Sequence, residues 1–242
     1  MNLDPATKSI GQLALELPNA INVMEKWKID YCCHGNRSVA QACADAGIGI
    51  EELFEAIGER PLSTAMSWSC EPLAALQTFI VETHHAFTRQ ALETVVLLSD
   101  KVASRHGANH PETVRVAALV KELTSDLIPH MQKEEGILFP YVAALESAAF
   151  SGSEPPASCF GTVRNPIRMM MNEHEAAADT LGALRAVTRD YALPDDACLS
   201  FRALYERLAE LEQDLHRHIH LENNILFPRA AAMEESTRRV TA

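Results

Sequence analysis

The sequence predicts an all-α protein, a four-helix bundle preceded by a small helical domain, on three observations. One spacing, H-x3-E-x2-I-L-F-P, occurs twice, from His130 to Pro140 and again 88 residues later from His218 to Pro228. Four stretches place apolar residues every three or four positions, the stripe of an amphipathic helix. The 242 residues are 47% hydrophobic, enough for one large core and a small one beside it.

Residues 1–60 read as short helices with their own punctuation. Ser9-x-x-Gln12 and Ser38-x-x-Gln41 have the form of capping boxes, Pro18 suits a first helical turn, and Gly47 and Gly49 break the pattern before Glu51. Residues 61–72 lose all periodicity and read as a linker. The bundle follows over 73–235, with long helices expected near 73–104, 112–146, 166–189 and 196–232. Pro111 and Pro166 suit helix starts, and the loop-like stretch 151–159 crosses between the two halves.

Each stripe carries polar groups at core positions. Leu76 and Ile80 lead through His84 to Phe87, Ala91 and Val95, and Val116, Leu119, Leu123 and Leu127 lead through His130 and Glu134 to Ile137. Ile167 and Met171 lead through His174 to Ala178 and Leu181, and Leu204, Leu208, Leu211 and Leu215 through His218 and Glu222 to Ile225. Residues i and i+4 share a helix face, so each H-x3-E copy sets an imidazole beside a carboxylate. A lone core histidine is satisfied by a hydrogen bond. Six ionisable groups in one core cost several kcal/mol each unless something compensates, and a cation compensates for all six at once.

Four imidazoles and two carboxylates suit iron, manganese or zinc. Two ions fit six donors better than one, with both glutamates bridging. His85, His216 and His220 are read as facing outward. Asp126 and Glu173 are read as outer polar groups that support the donors or line an iron path. Glu135 lies outside the donor set, since Asn223 stands at its place in the second copy. Pro129 and the proline ending each I-L-F-P are expected to bend their helices. Met169, Met170 and Met171 are assigned to packing.

The balance of 21 basic against 33 acidic residues, net charge −12, disfavours nucleic acid and anionic membranes as partners. The first residues lack a signal-peptide layout and no apolar run spans a bilayer, so the cytoplasm is the expected location. Cys32, Cys33, Cys43, Cys70, Cys159 and Cys198 do not read as a disulfide framework.

The layout of His84, His130-x3-Glu134, His174 and His218-x3-Glu222 resembles the haemerythrin-like domain. Asp30-Tyr31-Cys32-Cys33-His34-Gly35 resembles the Asp-Tyr-Cys-Cys-Gly-Gly motif of the ScdA amino-terminal domain. Together they resemble the RIC family, the repair-of-iron-centres di-iron proteins, over nearly the whole chain. The resemblance implies a haemerythrin-like four-helix bundle with iron ligands His84, His130, Glu134, His174, His218 and Glu222. It implies a cofactor of two non-haem iron ions, carboxylate- and oxo- or hydroxo-bridged. The implied task is repair of iron-sulfur clusters damaged by nitrosative or oxidative stress, through donated iron rather than enzymatic turnover. Damaged iron-sulfur proteins and the diatomics nitric oxide and oxygen are the implied partners.

The alternatives are nitric oxide binding or reduction at the di-iron site, or reversible sensing of oxygen or nitric oxide. Cys32 and Cys33 are either a thiol relay or a structural turn with one cysteine buried. His34 stands where the family motif has its first glycine, and adds a ligand candidate beside the thiols.

Overall fold

The computed structural model describes residues 8–58 and 68–240. Four short helices form the N-terminal domain. In α1 (Ile10–Glu16) the capping box is complete, Gln12 N–H donating to Ser9 Oγ at 3.1 Å and Ser9 N–H to Gln12 Oε1 at 3.2 Å. Pro18 opens α2 (Pro18–Trp27) at a position where its missing N–H costs nothing. In α3 (Val39–Ala46) only half of the expected box forms, because Gln41 turns its amide to Asp45. Gly47, at φ 69°, ends α3, and α4 (Ile50–Ile57) follows. Ile10, Leu13, Met24, Tyr31, Val39 and Leu53 form this domain's core, which also takes in Ile219 from the bundle.

Four long helices make the bundle, and three of them contain a π turn. Helix α5 runs Leu73–Phe79, π turn Ile80–His85, Ala86–His106; α6 runs Glu112–Lys133, π turn Glu134–Leu138, Phe139–Ser151. Helix α7 is Arg164–Thr188, and α8 runs Leu199–Leu221, π turn Glu222–Leu226, Phe227–Val240. At the turns the N–H groups of Ala86, Phe139 and Phe227 reach back five residues, to the carbonyls of Val81, Glu134 and Glu222. Pro140 and Pro228 stand second in the helices that resume. With no N–H to offer the carbonyl four residues back, each favours a widened turn before it. The bends expected at I-L-F-P are therefore π turns, while Pro129 lies inside the unbroken α segment Glu112–Lys133.

Two apolar clusters fill the bundle. One gathers Leu92, Val95, Leu123, Leu181, Phe201 and Leu208; the other gathers Leu76, Ile80, Leu138, Val142, Ile167 and Phe227. The polar layer lies between them. Two buried carboxylates cap helix starts from across the bundle. Glu146 accepts the Leu73 and Ala74 N–H groups at 2.6 and 3.0 Å, and Glu234 accepts Val163 N–H at 3.1 Å, Thr162 Oγ1 at 2.6 Å and the Tyr141 hydroxyl at 2.6 Å. Glu146 and Glu234 are 88 residues apart, so the duplication extends to these caps.

Most of the expected linker, 61–67, lies outside the described residues. Its end is held on the bundle: Arg229 donates to the carbonyls of Trp68 and Glu71 at 2.6 and 2.7 Å, and the Trp68 ring packs on Phe79. Among the described residues no helix is long and apolar enough to cross a membrane, and all six cysteines are free.

Candidate metal centre

Two groups of four buried donors share the same pair of carboxylates. His85, Glu134, His218 and Glu222 form one group, and His130, Glu134, His174 and Glu222 the other. In the first, His85 Nε2 lies 3.1 Å from His218 Nε2 and 3.4 Å from Glu134 Oε2. His218 Nε2 lies 3.1 Å from Glu222 Oε1. In the second, His130 Nε2 lies 3.0 Å from His174 Nε2 and 3.4 Å from Glu134 Oε2, and His174 Nε2 is 3.1 Å from Glu222 Oε2. Donors about 2.1 Å from one ion and at right angles to each other lie roughly 3 Å apart, which matches these separations.

One position corrects the sequence reading. His85, fully buried, occupies the place expected for His84, whose Nδ1 instead pairs with Asp214 Oδ1 at 3.0 Å. The His84 ring stacks on His218, centroids 5.7 Å apart, outside the donor set. The cause is the π turn Ile80–His85. It inserts one residue without advancing the core face, so the stripe that would pass from Ile80 to His84 arrives at His85. The signal lay downstream, where Thr88, Leu92, Val95, Ser99 and Val102 are buried and extrapolate back to 85. In α6 the second π turn leaves Ile137 52% exposed and buries Leu138 instead. Met170 alone of the three methionines is buried.

The outer hydrogen bonds orient the rings. His130 Nδ1 lies 2.8 Å from Glu173 Oε2, and Glu173 is held in turn by Lys133. His85 Nδ1 lies 2.6 Å from Glu135 Oε1, which also accepts from Arg89 at 2.6 Å. An ionised carboxylate only accepts, so both Nδ1 atoms carry the proton and both Nε2 atoms present lone pairs. His174 Nδ1 lies 3.0 Å from Asn223 Oδ1, while Asn223 Nδ2 donates to Cys32 O at 3.5 Å and so fixes which amide atom faces the ring. Glu173 therefore supports His130, whereas Asp126 is exposed and accepts from Ser125 rather than from a donor histidine.

Electrostatics keep the donors ready for a cation. Burial, and then His218, pushes the His85 pKa down to about 4, and burial with His174 does the same for His130, so both rings are neutral at neutral pH. Burial, then the charge of Glu222, holds Glu134 well above the usual carboxylate range. Burial works to raise Glu222 as well, but His218 and His174 hold it well below. Both carboxylate oxygens of Glu134 are buried without a hydrogen-bond partner. The His130 and His174 Nε2 atoms face each other at 3.0 Å, with the Nδ1 atoms of both rings turned to Glu173 and Asn223. The residues fit a pair of cations and fit no purely protein network.

His216 and His220, expected to face outward, instead meet the N-terminal domain. His216 Nδ1 pairs with Glu25 Oε1 at 3.0 Å, and buried His220 lies 3.4 Å from Tyr31 O. Asn224 Nδ2 donates to Cys32 O at 3.1 Å. The loop bearing Cys32 and Cys33 thus docks through its backbone on the helix that carries His218 and Glu222.

A bundle whose facing helices present two H-x3-E pairs and two further histidines defines a haemerythrin-like cation-binding domain. The family model described as Hemerythrin HHE cation binding domain matches residues 77–230, and ScdA_N, a domain of unknown function, matches residues 6–61. The chain belongs to the RIC family of ScdA-type di-iron proteins with a haemerythrin-like domain. Similar curated proteins are the iron-sulfur cluster repair proteins YtfE of Yersinia pestis (strain Pestoides F) and of Yersinia pseudotuberculosis serotype O:3 (strain YPIII). Each is 33% identical over 231 residues, covering 94% of this chain and 98% of the relative.

Proposed function

We propose that this chain holds two iron ions and returns iron to iron-sulfur proteins damaged by nitrosative or oxidative stress. His85 and His218 would hold one ion and His130 and His174 the other, with Glu134 and Glu222 common to both groups of donors. The observation that carries this reading is the 3.0 Å approach of the His130 and His174 Nε2 atoms beside a Glu134 whose two oxygens are buried without a partner. Only a cation turns that convergence from a cost into a bond. Iron is favoured over manganese and zinc by the relatives, which are named for iron-sulfur cluster repair.

When bound, the ions supply exchangeable iron. The protein's part is to hold the Nδ1 protons in place through Glu135, Glu173 and Asn223 and to keep bulk water out with the apolar clusters on either side. His174 is backed by a neutral amide and His218 Nδ1 has no hydrogen-bond partner among the described residues, so each ion would have one histidine without a carboxylate behind it. The work is stoichiometric delivery in the cytoplasm rather than catalysis, and the clients are damaged iron-sulfur proteins.

The test is anaerobic incubation of protein loaded with isotope-labelled iron with a dehydratase whose cluster nitric oxide has destroyed. Label in the client together with regained activity is the expected result. Label retained here, with the client still inactive, would overturn donation and turn the reading to nitric oxide chemistry at a stable site.

A further inference from the structure

We propose that Asp30, Cys32, Cys33 and His34 form a second metal site, separate from the bundle's, for one thiophilic divalent cation of the zinc type. Cys32 Sγ lies 3.8 Å from Cys33 Sγ and 3.5 Å from Asp30 Oδ1. A tetrahedral ion with metal–sulfur bonds of about 2.3 Å and a metal–oxygen bond of about 2.0 Å sets its donors roughly 3.8 Å and 3.5 Å apart. Both distances from Cys32 Sγ therefore match the edges of such a tetrahedron, all three donor atoms lie within 4.8 Å of one another, and they form a metal-capable group distinct from the two in the bundle.

The loop is built to keep them there. Asp30 Oδ1 accepts the backbone N–H groups of Cys32 and Cys33 at 3.1 and 3.0 Å. His34 Nδ1 holds the other carboxylate oxygen at 2.5 Å, the arrangement by which an outer histidine orients a ligating carboxylate. All four residues line a cavity of about 450 Å³ between the two domains, whose wall also carries Glu25, Glu175, Asp179 and Glu212 against Lys28 and Arg185, so the approach for a cation is acidic on balance. The hydrogen bond with Cys33, and then burial, hold the Cys32 thiol well above its ordinary range. The Cys32 thiol by itself is thus a poor nucleophile. Binding replaces two thiol protons, which pass to solvent, with one divalent ion, and no redox partner is required.

Anaerobic titration of the iron-loaded full-length chain with cobalt(II), a spectroscopic stand-in for zinc, tests this. A thiolate-to-cobalt charge-transfer band saturating at one equivalent and bleached by zinc is expected. The band is lost in the Cys32→Ser/Cys33→Ser variant, unchanged in Cys198→Ser, and requires about 10–100-fold more cobalt in His34→Gly. The same band in a Glu134→Leu/Glu222→Leu background separates it from the bundle site, and retained bundle iron in the cysteine variant reports an intact fold. Absence of the band, its survival without Cys32 and Cys33, or equal affinity in His34→Gly would overturn the site.

Discussion

Asn223 Oδ1 stands 3.0 Å from His174 Nδ1 while the same amide donates to Cys32 O, so one side chain joins a bundle histidine to the cysteine loop of the other domain. Its counterpart 88 residues earlier, Glu135, does the matching work for His85 with a full negative charge and an arginine behind it. The duplicated halves have thus diverged at the outer partners while keeping the inner donors.

Asn223→Ala should weaken the ion held by His130 and His174 by about 10–100-fold and leave the other in place. Iron counted during challenge with a chelator would fall from two per chain to one in a fast phase. Glu135→Ala should loosen the opposite ion. Identical single-phase loss in wild type and Asn223→Ala would show that the amide does not support the ion on His130 and His174.

Much of this was legible in the sequence because it repeats. His130, Glu134, His174, His218 and Glu222 fall where a 3.6-residue period puts core positions, and the structure gathers them into the two groups of donors. His84 was misread because a π turn is invisible to that period. The stripes on either side of Ile80–His85 are out of phase by one residue, and reading only the upstream one gives the wrong neighbour. In the H-x3-E copies Phe-Pro marks the π turn, but no proline follows His85. The roles of Glu135, Asn223, Glu146 and Glu234 depend on which helix faces them, and helical periodicity does not encode that.

Gly35, the glycine retained after His34, has a steric reason to stay. A Cβ there would lie 2.6 Å from Tyr31 O and closer still to Asn224 Oδ1. Gly35→Ala should cost about 1–3 kcal/mol as the loop is forced off α8. Thermal melting of the iron-free chain would read it. His34, by contrast, points its ring to the surface, which is why the family's first glycine is replaceable here.

Glu234 offers a pH test. Burial works to raise its pKa, but hydrogen bonds from Thr162, Tyr141 and Val163 hold it below the ordinary value. A depressed carboxylate contributes stability in full above its unfolded pKa of about 4.3 and loses it as pH falls through the folded value. Glu234→Gln should therefore be less stable than wild type by about 1–3 kcal/mol at pH 7, with the gap closing below about pH 4. A gap that stays constant into acid would show that the carboxylate's charge contributes nothing.

Iron quantification with Mössbauer spectroscopy on anaerobically prepared His85→Ala and His84→Ala chains tests the central claim most directly. The account predicts two irons per chain in wild type and in His84→Ala, and loss of at least one in His85→Ala. Two irons retained in His85→Ala, with iron lost from His84→Ala, would contradict it.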